Sequence, residues 1–218
     1  RPPSPGPDDP QLPALVALEG TEWKTLEDGE IVLRSPGVFK GYFLDDSASK
    51  TTVDDEGWLH SGDIVEVIDN GEIAVIDRKK AIIITSGGKN IAPSEIENSL
   101  KDTGLIKEAI VVGEGRKFLG ALIQIDYDSV GRWARDRGLA YTNYKSLSQL
   151  PETIDLVDGL VRETNKKFAR VENIRKFVIL DKELDHDDGE LTATQKVRRS
   201  IINKKFQREL RLIYGAEA

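Results

Sequence analysis

Between Glu19 and Asp77 the chain contains short runs in which hydrophobic and polar residues alternate, which is the period of a half-buried β-strand. The run GEIVLRS, residues 29–35, follows this pattern after an Asp-Gly pair. Two more such runs, DIVEVID and EIAVID, flank Asn70-Gly71. An Asn-Gly pair suits a type I′ hairpin turn, because both central residues of that turn need a positive φ. The pattern therefore predicts a β-rich segment that ends in a hairpin.

After Arg78 the pattern becomes mixed. Four short apolar runs predict buried strands: AIIIT (81–85), KEAIVVG (107–113), FLGALIQID (118–126) and RKFVILD (175–181). Helical spacing follows Pro93 and recurs in three longer stretches: DSVGRWARDRG with an Asp N-cap (128–138), ETIDLVDGLVRETNKKF (152–168) and ATQKVRRSIINKKFQRELRLIYG (193–215). The last stretch is predicted as one long helix with an apolar stripe of Val197, Ile201, Leu210 and Ile213.

The order of these elements indicates an α+β protein. A small β-rich subdomain is expected first, and a mixed α/β domain with a small central sheet and flanking helices is expected after it. Residues 1–13 carry six of the nine prolines, so residues 1–18 are interpreted as an extended or disordered arm. The β-subdomain is assigned to 19–77 and the second domain to 78–218, with a short charged hinge at Asp77–Lys80.

Composition narrows the classes of function. The 218 residues are 39% hydrophobic and 32% charged, as in a globular protein, and the net charge of −7 argues against general attraction to nucleic acid or to an anionic membrane. Cysteine is absent, which excludes disulfides, thiol nucleophiles and cysteine-based metal sites. With only two histidines, His60 and His186, a histidine-rich metal site is excluded as well.

The chain contains no methionine and begins at Arg1, so we expect it to be a fragment of a longer protein. No apolar run approaches the roughly 18 residues that span a bilayer. We find no signal peptide pattern, and a cytoplasmic location is the expectation.

Three stretches carry candidate chemistry. In GWLHSGD, Asp63 stands where a strand begins, and its carboxylate suits the two hydroxyls of a ribose, although capping a turn is the commoner role of such a residue. SGGKN, residues 86–90, precedes a helix as phosphate-binding loops do, but it lacks the P-loop spacing, and a tight turn explains it equally well. GELTATQKVRR places Lys196 in the first turn of the last predicted helix, with Thr192 or Thr194 as N-cap. Lys196 then either holds an anionic reacting group or is a solvated lysine in a basic helix.

Taken together and in this order, these stretches resemble the core motifs of the adenylate-forming superfamily, which includes acyl-CoA synthetases, firefly luciferase and peptide-synthetase adenylation domains. The resembling motifs are GEIVLRSPGVFKGYF, DDEGWLHSGDIVEV and EIAVIDRKKAIIITSGGKNIAPSEIE. LTATQK has the Leu-Thr-x-Thr-x-Lys form of the long-chain fatty acyl-CoA synthetase branch, and KKFARVENIRKFVIL fits that branch too. The resemblance covers about residues 20–218, the end of a large N-terminal domain and the whole C-terminal lid.

The resemblance implies a role for each matching residue. Asp63 and Arg78 would bind the ribose of ATP. Lys80 would be the hinge on which the lid turns. Lys196 would be catalytic and bridge the α-phosphate and the substrate carboxylate. Gly87, Gly88 and Lys89 would line the CoA channel, and no residue is assigned to a metal.

The implied reaction joins a long-chain fatty acid to CoA through an acyl-adenylate, with ATP, Mg²⁺ and CoA as co-substrates and with AMP and pyrophosphate as products. The implied partners are the fatty acid, ATP and CoA, without nucleic acid; peripheral membrane association through regions outside this chain is left open. The family's Ser/Thr/Gly-rich phosphate loop, adenine motif and fatty-acid pocket are absent, so the fragment alone is expected to be inactive.

Two other interpretations stay open at this stage. The chain can be a non-catalytic module that kept the lid fold and binds a partner, although such a module has no need of Asp63, Arg78, Lys80 and Lys196 together. A nucleic-acid binder that uses the basic last helix is disfavoured by the net charge and by the lack of interleaved aromatic residues.

Overall fold

The computed structural model describes residues 15–68 and 72–215. The chain divides into two compact units, Arg1–Ile82 and Ile83–Ala218. Most of the predicted proline-rich arm and the predicted Asn70-Gly71 turn lie outside the described residues. Leu15, within the predicted arm, forms an antiparallel bridge with Ile73.

The first unit is built on a four-stranded antiparallel sheet in which the strands follow chain order. The strands are β1 (Glu22–Thr25), β2 (Glu30–Arg34), β3 (Leu59–Val67) and β4 (Ile73–Arg78), with helix α1 (Asp46–Thr52) between β2 and β3. Ile31, Val65 and Ile73 form its small buried core. The strands predicted from the alternating runs are confirmed, because each places apolar side chains on this one buried face.

The second unit contains a two-stranded ribbon and a mixed three-stranded sheet. The ribbon pairs β5 (Ile83–Ile84) with β6 (Asn90–Ile91). The sheet has the order β7 (Ile106–Val112), β8 (Leu119–Ile125), β9 (Ile174–Ile179), with β8 antiparallel to β7 and parallel to β9. The expected fold class, a small β-rich part followed by a mixed α/β part with a small central sheet and flanking helices, is confirmed.

Among residues 83–215, six helices surround the strands of the second unit: α2 (Pro93–Lys101), α3 (Tyr127–Asp136), α4 (Tyr144–Ser148), α5 (Pro151–Asn165), α6 (Arg199–Lys205) and α7 (Gln207–Tyr214). Both α2 and α5 begin with proline, whose fixed φ and missing N–H suit the first turn. The N-cap of α3 is Asp126, whose Oδ1 accepts from the Ser129 N–H at 2.9 Å. The sequence pattern placed this cap two residues later, at Asp128.

The central sheet separates two hydrophobic cores. Successive side chains of a strand point to opposite faces, so Val111, Ala121 and Ile123 join the core formed with α2, α3 and α5. Ile110 and Leu122 join the other core, together with residues of α6 and α7. Every residue of β8 is buried, as expected for a central strand that is covered on both faces.

The single long C-terminal helix predicted for residues 193–215 is wrong. The structure has two short helices, α6 and α7, which meet at Phe206. Phe206 is only 7% exposed and packs in the core with Ile202 and Ile213, both fully buried. The backbone leaves the helical conformation at Phe206, with φ −97° and ψ 34°, despite the good helix propensity of the neighbouring lysines and arginines. Ile202, rather than the predicted Ile201, faces the core.

Gly120, the second residue of β8, allows α7 to approach the sheet. A Cβ atom at this position would lie 2.5 Å from Cγ2 of Ile213, which is fully buried. The Gly120 N–H donates to the Tyr214 hydroxyl at 3.1 Å, and that hydroxyl donates to the Val112 carbonyl at 2.8 Å. Burial raises the pKa of Tyr214 to about 12, which keeps the hydroxyl protonated as a donor.

We predict that Gly120→Ala lowers the free energy of unfolding by about 1–3 kcal/mol, because α7 must move to accept the methyl group. Urea unfolding of the 218-residue chain measures the effect. Gly159→Ala is the matched control, since a Cβ there meets no atom within 4 Å and helix α5 favours alanine by up to about 1 kcal/mol. An unchanged or higher stability of Gly120→Ala would contradict this role of the glycine.

Candidate active-site segments

Asp63 and Arg78 lie opposite each other on β3 and β4. Arg78 Nη1 donates to Asp63 Oδ1 at 2.6 Å and to the Ser61 carbonyl at 3.1 Å. The Asp63 side chain is 29% exposed and that of Arg78 67%. Within residues 15–68 and 72–215, no hydrogen bond engages Asp63 Oδ2. An ion pair this exposed adds only about 0–1 kcal/mol to stability. The pair therefore contributes little to the fold, but it orients Oδ2 of Asp63 so that this oxygen can accept a hydrogen bond from a ligand.

Glu30 fixes the backbone around this pair, although the sequence motifs did not single it out. Its carboxylate is 4% exposed and accepts from the Gly62 N–H at 2.9 Å and from Lys79 Nζ at 2.7 Å. Burial favours protonation, but the hydrogen bonds from Lys79 and Gly62 outweigh it and hold the pKa of Glu30 below its usual value. Gly62 directly precedes Asp63 and Lys79 directly follows Arg78, so Glu30 links the two strands beside the pair.

Lys80, the predicted hinge, lies in the turn that follows β4. The Arg78 carbonyl accepts from the Ala81 N–H at 2.8 Å and from the Ile82 N–H at 3.2 Å, which closes this turn. The Lys80 side chain is exposed. The division between the two compact units falls two residues later, after Ile82.

Gly87, Gly88 and Lys89 form the exposed turn between β5 and β6. Thr85 closes the turn: its N–H donates to the Lys89 carbonyl at 3.0 Å, and its Oγ1 accepts from the Lys89 N–H at 3.2 Å. Gly88 has φ +71°, a conformation that side-chain-bearing residues rarely adopt. A Cβ atom on Gly88 would meet nothing within 4 Å, so the glycine is required here by backbone geometry and leaves an open surface beside the turn.

The glycine turn is anchored to the loop between β7 and β8. The Ser86 N–H donates to the Arg116 carbonyl at 2.9 Å, and the Gly115 N–H donates to the Ile84 carbonyl at 2.8 Å. Glu114 Oε2 also accepts from the Ile84 N–H at 3.0 Å. These bonds satisfy the backbone of a strand only two residues long, which would otherwise be marginal.

Lys196 lies in a small hairpin, and its predicted position in the first turn of the last helix is wrong. The Thr192 N–H donates to the Lys196 carbonyl at 2.8 Å, and the Lys196 N–H donates to Thr192 Oγ1 at 3.0 Å. The following helix begins only at Arg199, so Thr192 and Thr194 are not its N-cap. A threonine hydroxyl can close a turn as well as cap a helix, and here the turn prevails.

The tip of this hairpin is conformationally unusual. Gln195, next to Lys196, has φ +61°, which is uncommon for any residue other than glycine. The Lys196 side chain is exposed. Its Nζ makes no hydrogen bond or ion pair in the part of the chain that the structure describes, so the ammonium group is available to a ligand.

A second buried glutamate, Glu190, fixes the base of the Lys196 hairpin. It is 1% exposed, and its carboxylate accepts from Lys182 Nζ at 2.9 Å, Lys205 Nζ at 3.3 Å and the Asp185 N–H at 3.0 Å. Its backbone carbonyl accepts from the Arg198 N–H at 2.8 Å. The Glu190 carboxylate at the base of the hairpin is therefore neutralised by two lysines and hydrogen-bonded to the backbone.

A third glutamate, Glu97 on α2, connects the segment after the glycine turn to the segment after Lys196. Its Oε1 accepts from the Val111 N–H at 2.7 Å and from Arg199 Nη2. Arg199 Nη1 donates in turn to the Val111 carbonyl at 2.9 Å. Burial raises the pKa of Glu97, and the adjacent guanidinium offsets only part of this effect.

These three glutamates occur in two short sequence patterns. Glu30 and Glu190 each stand between a glycine and a buried aliphatic residue, and Glu97 ends the SEIE run. Gly-Glu also occurs at positions 71–72, however, where the glutamate makes no comparable contact among the described residues. The local pattern alone therefore does not identify a bracing glutamate.

Within residues 15–68 and 72–215, no group of three or more histidine and carboxylate side chains is arranged to hold a metal ion. The same residues contain no helix that is long and apolar enough to cross a membrane.

A family model described as the AMP-binding enzyme C-terminal domain matches residues 80–218. The chain is 37% identical over 201 residues to the long-chain-fatty-acid–CoA ligase FadD15 of Mycobacterium tuberculosis, covering 92% of this chain and 33% of the relative. It is 31% identical over 208 residues to long-chain-fatty-acid–CoA ligase 1 of Cavia porcellus, covering 92% and 29%. The chain thus spans about a third of the length of these curated relatives.

Solved structures share the fold. The adenylation domain of a carboxylate reductase from Mycobacterium chelonae superposes with a TM-score of 0.71 at 17% identity, over 93% of this chain and 31% of that one. The o-succinylbenzoate CoA synthetase of Bacillus subtilis, in complex with its acyl-adenylate intermediate, gives 0.60 at 24% identity, over 84% and 34%. The resemblance to the adenylate-forming superfamily is thereby confirmed, and the chain belongs to the AMP-binding enzyme family, whose C-terminal domain it contains in residues 80–218.

Proposed function

We propose that this chain is the C-terminal part of an ATP-dependent long-chain fatty acid–CoA ligase. The ligase converts a fatty acid, ATP and CoA into acyl-CoA, AMP and pyrophosphate through an acyl-adenylate. The names of the relatives support this assignment. The observation that carries it is Lys196, an exposed lysine without a side-chain partner among the described residues, held at the tip of a braced hairpin within the Leu-Thr-x-Thr-x-Lys motif.

Asp63 and Arg78 bind the ribose of ATP in this proposal. Oδ1 of Asp63 is occupied by Arg78, which leaves Oδ2 to accept a hydrogen bond from a ribose hydroxyl. A hydrogen bond to a charged acceptor is about twice as strong as one between neutral groups. The guanidinium is 67% exposed and retains donors for the ribose oxygens.

Lys196 acts in the first half-reaction. A carboxylate oxygen of the fatty acid attacks the α-phosphorus of ATP, the bond from that phosphorus to the bridging oxygen breaks, and pyrophosphate leaves. Both reactants are anionic, so an ammonium group placed between the carboxylate and the α-phosphate stabilises the negative charge of the transition state. A lysine already free of protein partners does not have to break an ion pair in order to act.

The glycine turn acts in the second half-reaction. The CoA thiolate attacks the acyl carbon and AMP leaves as the acyl–sulfur bond forms. Gly87 and Gly88 lack side chains, so the narrow pantetheine arm of CoA can pass close to the backbone. Lys89 lies in the same exposed turn and lines this channel.

Lys80 is the hinge between the two half-reactions. We assign the rotation to this residue because it lies in an exposed turn two residues before the division between the compact units, and hinges are a few such positions that absorb a change in φ and ψ. Rotation of one domain would exchange Lys196 for the glycine turn at the reacting centre.

The donor set of the described residues does not fit a resident metal ion. We therefore assign no Mg²⁺ ligand to this chain and derive no step through the ion. A cytoplasmic location stays a prediction.

We predict that Lys196→Ala, in the complete ligase, slows fatty acid-dependent pyrophosphate release by about 10²–10³-fold, the typical cost of removing one donor that stabilises developing charge. Thioester formation from supplied acyl-adenylate should persist, since the lysine acts only in adenylation. The two half-reactions are measured separately. Lys204→Ala, which removes another exposed lysine from the same basic region, should leave both rates unchanged. If Lys196→Ala slows pyrophosphate release no more than Lys204→Ala does, Lys196 is a solvated lysine without a catalytic role.

We predict the opposite result for Lys80→Pro in the same enzyme. Proline fixes φ and restricts the preceding residue, so rotation at the hinge is impeded while the nucleotide-binding pair stays intact. Adenylation should continue and CoA transfer should fall. Lys80→Ala, which removes the side chain and keeps the backbone mobile, should transfer CoA faster than the proline variant. If Lys80→Pro slows adenylation as much as CoA transfer, a pivot at this residue is refuted.

A further inference from the structure

Basic residues concentrate on one loop and one strand of the second unit. Between positions 166 and 176 there are five basic residues and one acidic residue, in a chain whose net charge is −7. Arg170 lies in the loop after α5, while Arg175 and Lys176 lie on β9. Lys117, from the turn before β8, lies against the same loop. We call Lys117, Arg170, Val171, Arg175 and Lys176 the basic patch.

The loop that carries Arg170 and Val171 is firmly held. The Asn165 side chain donates to the Ile174 carbonyl and accepts from the Ile174 N–H, both at 2.9 Å. The Glu172 N–H donates to the Ala169 carbonyl at 2.8 Å, and Glu172 Oε2 accepts from the Ala169 N–H at 2.9 Å. The one acidic residue of the loop thus has its carboxylate engaged by the backbone, and Arg170 and Val171 project from a fixed turn.

The patch surrounds a shallow depression of about 320 Å³. Lys117, Arg170 and Arg175 line it together with Phe118 and Val171, and Val171 is 46% exposed. Lys176 Nζ lies 6.0 Å from the centre of the Phe118 ring, so the fourth cation adjoins the same surface.

Asp155 and Asp158 line a neighbouring depression that Arg175 and Lys176 also border, but neither carboxylate pairs directly with a cation of the patch. Within residues 15–68 and 72–215, none of the four cations of the patch takes part in an ion pair or donates a side-chain hydrogen bond. Elsewhere in the unit, lysines and arginines such as Lys182, Lys205 and Arg199 are paired with carboxylates. A set of adjacent unpaired cations produces a local positive potential that the negative net charge does not reveal.

We propose that the basic patch binds the surface of an anionic phospholipid membrane. A site for a single soluble phosphate is expected to hold its donors in place by further hydrogen bonds, as catalytic and anion-binding groups are held. Among the described residues these four side chains have no such support, and three of them line a depression together with an exposed valine. Cations around an apolar centre match lipid phosphates above an acyl layer, where each basic residue strengthens binding by about fivefold.

The test is sedimentation of the 218-residue chain with vesicles of phosphatidylcholine that contain one third phosphatidylserine. Arg170→Gln/Arg175→Gln should weaken binding by about 25-fold. The matched control, Lys107→Gln/Arg132→Gln, removes the same charge from exposed positions beside Asp126, at the opposite end of β8 from the patch, and should bind as the unmodified chain does. Raising the ionic strength from about 0.1 M to about 1 M should release the chain, because the screening length falls from about 10 Å to about 3 Å.

Three results would overturn the proposal. These are equal loss of binding in the patch and control variants, equal binding to pure phosphatidylcholine vesicles, and binding of soluble tripolyphosphate in the absence of vesicle binding. Circular dichroism of both variants checks that they fold; the replaced side chains make no ion pair in the described structure, so unfolding midpoints should not change. The outcome is independent of the ligase assignment, because no catalytic step enters the measurement.

Discussion

An ionised carboxylate can be buried only if cations and N–H groups replace the water that it loses. The chain meets this requirement at the buried Glu30 and Glu190 and at Glu97, whose side chain is 12% exposed, each beside a segment that carries a candidate catalytic residue. In each case a basic side chain and a backbone N–H from another part of the same unit complete the shell. Segments distant in sequence are thereby locked together at the places where the proposed chemistry needs fixed geometry.

The same requirement distinguishes the basic residues that pair with these glutamates, here called bracing residues, from the basic residues that are proposed to act in catalysis. Lysines and arginines that contact these glutamates are committed to the fold, whereas the Lys196 and Lys80 side chains are exposed, and Arg78 contacts only Asp63 and the Ser61 carbonyl among the described residues and is 67% exposed. Replacement of a bracing residue would leave a buried charge without a partner, which is costly. Replacement of Lys196 removes a group that the fold does not use. In the proposed mechanism, stability and activity therefore depend on different basic side chains within the same short motifs.

Sequence periodicity predicted the strands and the α+β class well, because one-sided burial leaves an alternating pattern. The adjacency of Asp63 and Arg78 follows from the hairpin register, once the two strands are recognised. The Lys196 hairpin was missed because Thr192 closes a turn instead of capping a helix, and because the Glu190 carbonyl accepts from the Arg198 N–H. Residues 193–215 considered alone favour a continuous helix, whereas in the structure Phe206 and Ile213 pack with Ile110 and Leu122, which lie far away in sequence.

The parallel pairing of β8 with β9 has a consequence for biosynthesis. The partner of β8 on that side follows only after α3, α4 and α5, so a nascent chain exposes the LGALIQI edge until residues 174–179 leave the ribosome. Apolar edges of this kind are prone to aggregate. The hairpin that presents Lys196 follows still later in the chain, after β9. A chain that ends before β9 would consequently expose an aggregation-prone edge and would also lack the Lys196 hairpin.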